Sequence, residues 1–130
     1  MNTTQIGALA ETDACTFLEK NGLILIEKNF TTLDANGKKN GEIDLIMQDK
    51  QHLVFIEVKM RNSPIFGDAV EMVSPQKKSR LIRTATCFLV NQQKFNYTYC
   101  RFDVVGIAPC TSAQHHNRIT WIKDAFQVQY

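Results

Sequence analysis

Two apolar runs, residues 43–48 and 52–60, are separated only by Asp49-Lys50-Gln51. Runs rich in Val, Ile and Phe joined by so short a polar link predict a β-hairpin. In a strand, side chains alternate between faces with a period of two, so register decides which of them meet. A turn that sets Gln48 opposite Leu53 also sets Asp44 opposite Glu57, on the face that carries Lys59. A slip of one residue would send Asp44 to the other side of the sheet.

These charges interrupt an otherwise apolar hairpin. A carboxylate taken out of water must be paired, solvated or coordinated to a metal. Two acids directly opposite each other repel unless positive charge sits between them. Lys59 supplies part of that charge, and a divalent cation would supply the rest. Mg²⁺ is held through one or two carboxylates and substrate phosphate while keeping several waters. The expected chemistry is therefore a phosphodiesterase site, with Asp44 and Glu57 as ligands to Mg²⁺ (or Mn²⁺) and Lys59 as their electrostatic partner. The same alternation also fits a hairpin with one wet face, on which Glu57 and Lys59 form an ordinary surface pair. Spacing alone leaves both open.

Around the hairpin, residues 3–21 predict a helix, with Ile6, Leu9, Ala10, Ala14, Phe17 and Leu18 inward, Thr3 or Thr4 as cap and Gly22 past its end. Residues 23–30 predict a strand. Residues 31–41 carry Asp34, Asn36, Gly37, Lys38, Lys39, Asn40 and Gly41, which is turn chemistry without a core face, so a mobile loop is expected. A polar connection with Pro64 leads to Ser74-Pro75, a capping residue followed by proline at the first helical position. The helix it opens runs to about Asn91, with Leu81, Ile82, Ala85, Phe88 and Leu89 inward. Strands are expected over 97–108 and 118–123. The order is α-β-β-β-α-β-β, a mixed α/β fold with a central sheet flanked by helices, in one domain spanning 1–130.

With 44% hydrophobic and 22% charged residues, disorder is not expected. The longest apolar runs, 23–26 and 53–56, are too short to span a bilayer, and no basic stretch precedes an apolar segment at the N-terminus. A cytoplasmic protein with no membrane contact is expected. Net charge is only +2, so any nucleic-acid footprint must be local. Cys15, Cys87, Cys100 and Cys110 form no C-x-x-C pair, which argues against a zinc ribbon and for reduced, mostly buried thiols. His115-His116 is expected in a surface loop rather than at a metal.

The segments Gly41-Glu42-Ile43-Asp44-Leu45-Ile46 and Phe55-Ile56-Glu57-Val58-Lys59-Met60-Arg61 resemble the YraN family of bacterial proteins. So do Gly7-x-x-x-Glu11-x-x-Ala14, Phe66-Gly67, Lys77 and Arg101-Phe102-Asp103, in the same order along the chain. That family is part of the restriction-endonuclease-like group, named for its PD-(D/E)xK signature, which includes archaeal Holliday junction resolvases. The resemblance implies the restriction-endonuclease-like core, a helix before a three-stranded meander and then a helix and a strand. It implies that Asp44, Glu57 and Lys59 are the signature acid, acid and lysine, and that the Val58 carbonyl is a further metal ligand. Ile43 stands where many members of the wider group have proline. Glu11 resembles the extra helix glutamate of the junction resolvases, which implies a further metal-site residue; without the resemblance it reads as a solvated helix residue. Those resolvases act as symmetric dimers, so a homodimer is a further expectation, although no dimer face is legible.

Lys77, Lys78, Arg80 and Arg83 crowd the first half of the second helix, where positive charge opposes the helix dipole and suggests an external anion. Lys77 is the preferred phosphate contact, and Lys78 fits a solvated face. Arg61 continues the alternation of Glu57 and Lys59. Lys38 and Lys39 would form a DNA-contacting flap, or simply solubilise a loop. Arg101 and Asp103 read as a structural ion pair, and Trp121, Phe126 and Tyr130 as packing residues. The expected function is Mg²⁺-dependent endonuclease (endodeoxyribonuclease) action on structured or branched DNA. The alternatives are a non-catalytic nucleic-acid-binding module that keeps the fold, and a protein-interaction domain, which would leave the acidic cluster unexplained.

Overall fold

A computed structural model describes residues 2–60, 73–92, 99–108 and 118–128. Its elements are α1 (Thr3–Lys20), β1 (Ile24–Leu33), β2 (Lys39–Asp49), β3 (His52–Met60), α2 (Pro75–Gln92), β4 (Tyr99–Ala108) and β5 (Arg118–Phe126). The five strands form one sheet in the order β1-β2-β3-β4-β5. Only β3 and β4 run parallel, and α2 lies in the crossover between them, as a parallel connection requires.

The hairpin has the expected register, with Gln48 opposite Leu53 and Asp49 opposite His52. Lys50, at φ 56°, makes the tight turn in the left-handed region. Alternation along β3 then sorts side chains to two cores. Val54 and Ile56 pack under α1 with Ala10, Ala14, Cys15 and Leu18. Leu53 and Phe55 pack under α2 with Leu81, Ala85 and Phe88. Phe55 stacks on Phe102, with centroids 5.5 Å apart, and meets the edge of Phe88 at 6.1 Å.

Several local expectations need correction. The cap of α1 is Asn2 rather than Thr3 or Thr4. Its side chain accepts from the Gln5 N–H at 2.9 Å while the Gln5 side chain accepts from the Asn2 N–H at 3.0 Å, a reciprocal capping box. Ile6 and Leu9 are not core: they are 39% and 49% exposed, and the buried stripe begins at Ala10. The helical periodicity of the sequence thus runs a turn further than the core beneath it. Residues 31–41 are not one loose loop either. Thr31 pairs with Glu42, Thr32 with Gly41 and Leu33 with Lys39, so strand continues to a turn near 34–38. Asp34 closes that turn, its Oδ1 accepting from the N–H groups of Asn36 (2.8 Å) and Lys38 (3.0 Å), with Gly37 at φ 80°. The β-branched threonines favour the pleat more than the polar composition opposes it.

Ser74 caps α2 as expected, its Oγ accepting from the Lys77 N–H at 3.1 Å ahead of Pro75. Cys15 is buried, but Cys87 and Cys100 are exposed, against the expectation of mostly buried thiols, because Cys87 lies on the outer side of α2 and Cys100 at the start of β4. Arg101 and Asp103 do pair: Arg101 Nε donates to Asp103 Oδ1 at 3.0 Å and its Nη2 to Asp49 at 2.8 Å. The buried Asp103 carboxylate also accepts from Trp121 Nε1 and from the Asp124 N–H, both at 2.9 Å. Asp124, at φ 52°, lies where the β4–β5 register shifts, so the carboxylate takes up an N–H that the ladder releases. Trp121 and Phe126 pack against the two cores as expected. No helix among the described residues is long and apolar enough to cross a membrane. Arg61, Pro64, Phe66-Gly67, Tyr97, Cys110, His115-His116 and Tyr130 lie outside the described residues.

Candidate acidic site and its basic cleft

The regular β2–β3 ladder reaches Leu45 opposite Ile56. One step beyond it the alternation of β2 breaks. Ile43 packs with the α2-side core and Leu45 with the α1-side core, although residues two apart should share a face. Asp44 lies at this twist. Its Oδ2 accepts from the Val58 N–H at 2.8 Å, a side chain standing in for a backbone carbonyl. Val58 follows Glu57 on β3, so this bond sets the backbone between the two acids beside the Asp44 carboxylate.

Glu57 follows from the alternation of β3 and is buried, at 5% exposure. Its Oε1 faces Lys77 Nζ of α2 at 3.6 Å and Lys59 Nζ at 3.8 Å. Its Oε2 is buried without a hydrogen-bond partner among the described residues. Burial, and then the charge of Asp44, push its carboxyl up to about 7 against the opposing pull of Lys77 and Lys59. Burial also raises the Asp44 carboxyl, opposed first by the Val58 hydrogen bond. Both acids thus share the field of the same two lysines. Asp103, fully bonded, is the contrast. Asp103 completes a structure, whereas Glu57 leaves an acceptor empty.

Glu11, on α1, is half-buried, and its carboxyl is raised by burial and then by Asp44. It reaches the site through Asn29. In the orientation that satisfies its neighbours, the Asn29 amide nitrogen donates to Glu11 Oε2 at 3.0 Å and Glu42 Oε1 at 3.1 Å. Asn29 is in the left-handed region at φ 54°, which Asn adopts more readily than most residues. Sequence reasoning missed Asn29 and Glu42 as parts of this cluster. The signal was an Asn inside a strand, where it is disfavoured unless its backbone or side chain has a special task.

On the α2 side a cleft of about 210 Å³ is lined by Lys39, Asn40, Gly41, Glu42, Lys77, Arg80 and Leu81. Gly41 makes the close packing here possible: a Cβ on it would lie 2.1 Å from Thr84 Oγ1 and 2.7 Å from Thr32 Oγ1. The structure therefore brings together Asp44, Glu57, Val58, Lys59 and Lys77, with Glu11 within the electrostatic reach of Asp44. Lys39 lines the cleft but is ion-paired with Glu42, and Lys38 lies exposed in the β1–β2 turn, apart from the acids.

Among the described residues no three His, Cys, Asp or Glu side chains form a metal-binding group. Glu11, expected as a further ligand, is bonded to Asn29 and forms no three-acid group with Asp44 and Glu57. Among the described side chains a cation here would therefore rest on Asp44 and Glu57, with the Val58 carbonyl. That set fits Mg²⁺, which needs few protein ligands, and the partnerless Glu57 oxygen fits an ion better than an apolar neighbour.

Residues 10–107 match the family described as Uncharacterised protein family UPF0102. A UPF0102 protein of Coxiella burnetii (strain RSA 493 / Nine Mile phase I) is 44% identical over 128 residues, covering 98% of this chain and 97% of the relative. One of Nitrosococcus oceani is 42% identical, covering 95% and 92%, and one of Francisella tularensis subsp. tularensis (strain WY96-3418) is 38% identical, covering 98% and 99%. Extending over nearly the whole chain, and agreeing with the motifs around Asp44 and Glu57, these matches show that the chain belongs to the UPF0102 (YraN) family.

Proposed function

We propose that this protein is a Mg²⁺- or Mn²⁺-dependent nuclease acting on structured or branched DNA. The observation that carries this reading is the buried Glu57, one oxygen of which has no hydrogen-bond partner among the described residues. It lies in the field of Asp44 and is flanked by Lys59 and by Lys77, which also lines a basic cleft. Asp44, Glu57 and the Val58 carbonyl would hold the cation. The chemistry it supplies is polarisation of a phosphoryl oxygen and acidification of water. Glu57 must be ionised to take part, and Lys59 and Lys77 favour that state. Lys59 also balances negative charge developing on a phosphoryl group, in a half-buried setting where charge counts for more than in water. The cleft residues hold the substrate backbone without reading its bases.

The test is cleavage of duplex, forked, four-way-junction and single-stranded DNA with Mg²⁺, Mn²⁺ or chelator. Asp44→Ala and Glu57→Ala are expected to abolish turnover, by about 100-fold or more, and Lys59→Ala to lose rate with metal binding retained. A protein that never cuts any of these sinks the proposal. A second reading, a nucleic-acid-binding module without hydrolysis, has two observations in its favour. Lys59 and Lys77 already offset part of the Glu57 charge, and no group of three metal-ligating side chains stands together among the described residues. DNA binding with a steep salt dependence but no cleavage would select it.

A further inference from the structure

The basic run of α2 is divided by what its members already do. Lys77 faces Glu57 at 3.6 Å. Lys78 lies over the Phe126 ring, 5.7 Å from its centroid. Arg83 donates through Nη2 to the Asn40 carbonyl, tying α2 to β2. Arg80 is exposed, lines the cleft, and has no acidic partner among the described residues. An exposed guanidinium needs no partner. At a cleft wall shared with Lys39 and Lys77, however, it adds to a local excess of positive charge that Glu42, the one acid of the lining, cannot balance. Gly41 presents no side chain to the cleft, and two side-chain oxygens occupy the space its Cβ would need.

We propose that this cleft is a second phosphate subsite, with Arg80 as its principal donor, and that it takes the phosphodiester next to the one held at Asp44 and Glu57. The inference rests on the nuclease reading for the identity of the first phosphate. Continuity between the two positions is the reason for choosing a polynucleotide over an isolated phosphate. Lys77 belongs to both, facing Glu57 on one side and lining the cleft on the other. A strand crossing from one to the other passes along a single lysine. Guanidinium suits this task because its planar fork grips phosphate oxygens in pairs, whereas an ammonium acts as a point charge. The subsite reads backbone and carries no base preference. It therefore selects for chain length: a substrate must extend at least one phosphate beyond the scissile one.

The experiment is fluorescence anisotropy of a fluorescein-labelled DNA duplex in chelator, with wild type, Arg80→Ala, Arg80→Lys and Lys78→Ala, from roughly 50 to 200 mM KCl. Arg80→Ala is expected to bind about tenfold more weakly at the low-salt end, with the slope of log affinity against log salt shallower by about one contact. Arg80→Lys should recover part of the affinity, and Lys78→Ala should stay close to wild type. Inorganic phosphate should compete only weakly, because the chain and not the lone anion spans both positions. Equal affinity and slope in wild type and Arg80→Ala would overturn the subsite while leaving the nuclease reading standing. Competition by inorganic phosphate as strong as by unlabelled DNA would overturn the assignment to a polynucleotide. Wild type failing to bind DNA at all would sink both readings. Arg80-dependent binding without cleavage in any metal would support the subsite and sink only hydrolysis.

Discussion

Glu57 holds the largest electrostatic tension in the described structure. Its carboxyl is raised from 4.5 to about 7, so over that interval the folded state binds a proton that the unfolded chain has released. Stability then falls as pH rises through the interval. The contribution is fully present below about pH 4.5 and is lost above about pH 7, a swing on the order of 3 kcal/mol. Glu57→Gln should remove the swing. In chelator, the variant is expected to match wild type near pH 5 and to exceed it in Tm at pH 8. Mg²⁺ should raise the wild-type Tm at pH 8 more than at pH 5 and leave Glu57→Gln unmoved. A wild-type Tm independent of Mg²⁺ at pH 8 would argue against a metal on this carboxylate. Much at this scale was legible. The Gln48–Leu53 register followed from a short turn between two apolar runs, and alternation along β3 placed Glu57. Asp44 lies past the last regular pair, at a twist the spacing did not show. Asn29 was not legible, because its left-handed backbone and its two acidic partners are supplied by elements remote in sequence.

At the scale of elements, the spacing of α2 from β2 is set at Gly41. Gly41→Ala pushes a methyl into Thr84 Oγ1, whose residue is wholly buried, and Thr32 Oγ1 blocks retreat on the other side. A loss of about 1–3 kcal/mol is expected by chemical denaturation. Combining it with Thr84→Ala should return part of the loss, because these neighbours are coupled. Gly7, in α1, has nothing within 4 Å of its would-be Cβ. Gly7→Ala is therefore expected to stabilise by up to about 1 kcal/mol through helix propensity alone. The elements themselves were readable in order and type. Their margins were not. Thr31 and Thr32 continue β1 where composition suggested a loop, because cross-strand partners on β2 decide the matter. Ile6 and Leu9 keep a helical rhythm that no core of the described residues answers.

For the molecule as a whole, two acid systems pull stability in opposite directions with pH. The Arg101 hydrogen bond holds the Asp49 carboxyl below its usual value of 3.8. Its contribution is present above that value and is lost as pH falls through the lowered one. Set against Glu57, this is expected to make Tm in chelator highest in mildly acidic buffer, with a decline towards pH 8 and again in strong acid, which thermal melts across pH check. Asp103→Ala should be costly, about 3–5 kcal/mol, since it strips Arg101, Trp121 and the Asp124 N–H of one shared acceptor. The Arg101–Asp103 pair was legible from strand alternation, but Asp49 and Trp121, on other strands, were not. The empty acceptor on Glu57 also bears on what selection would do. A library screened only for survival of heat at alkaline pH, with chelator and no nucleic acid, should discard Glu57 early. A neutral isostere such as glutamine sheds the cost of the buried charge, though it loses the ion pairs to Lys59 and Lys77. On the proposed reading, a glutamate held here at thermal cost is what a cation-binding carboxylate requires.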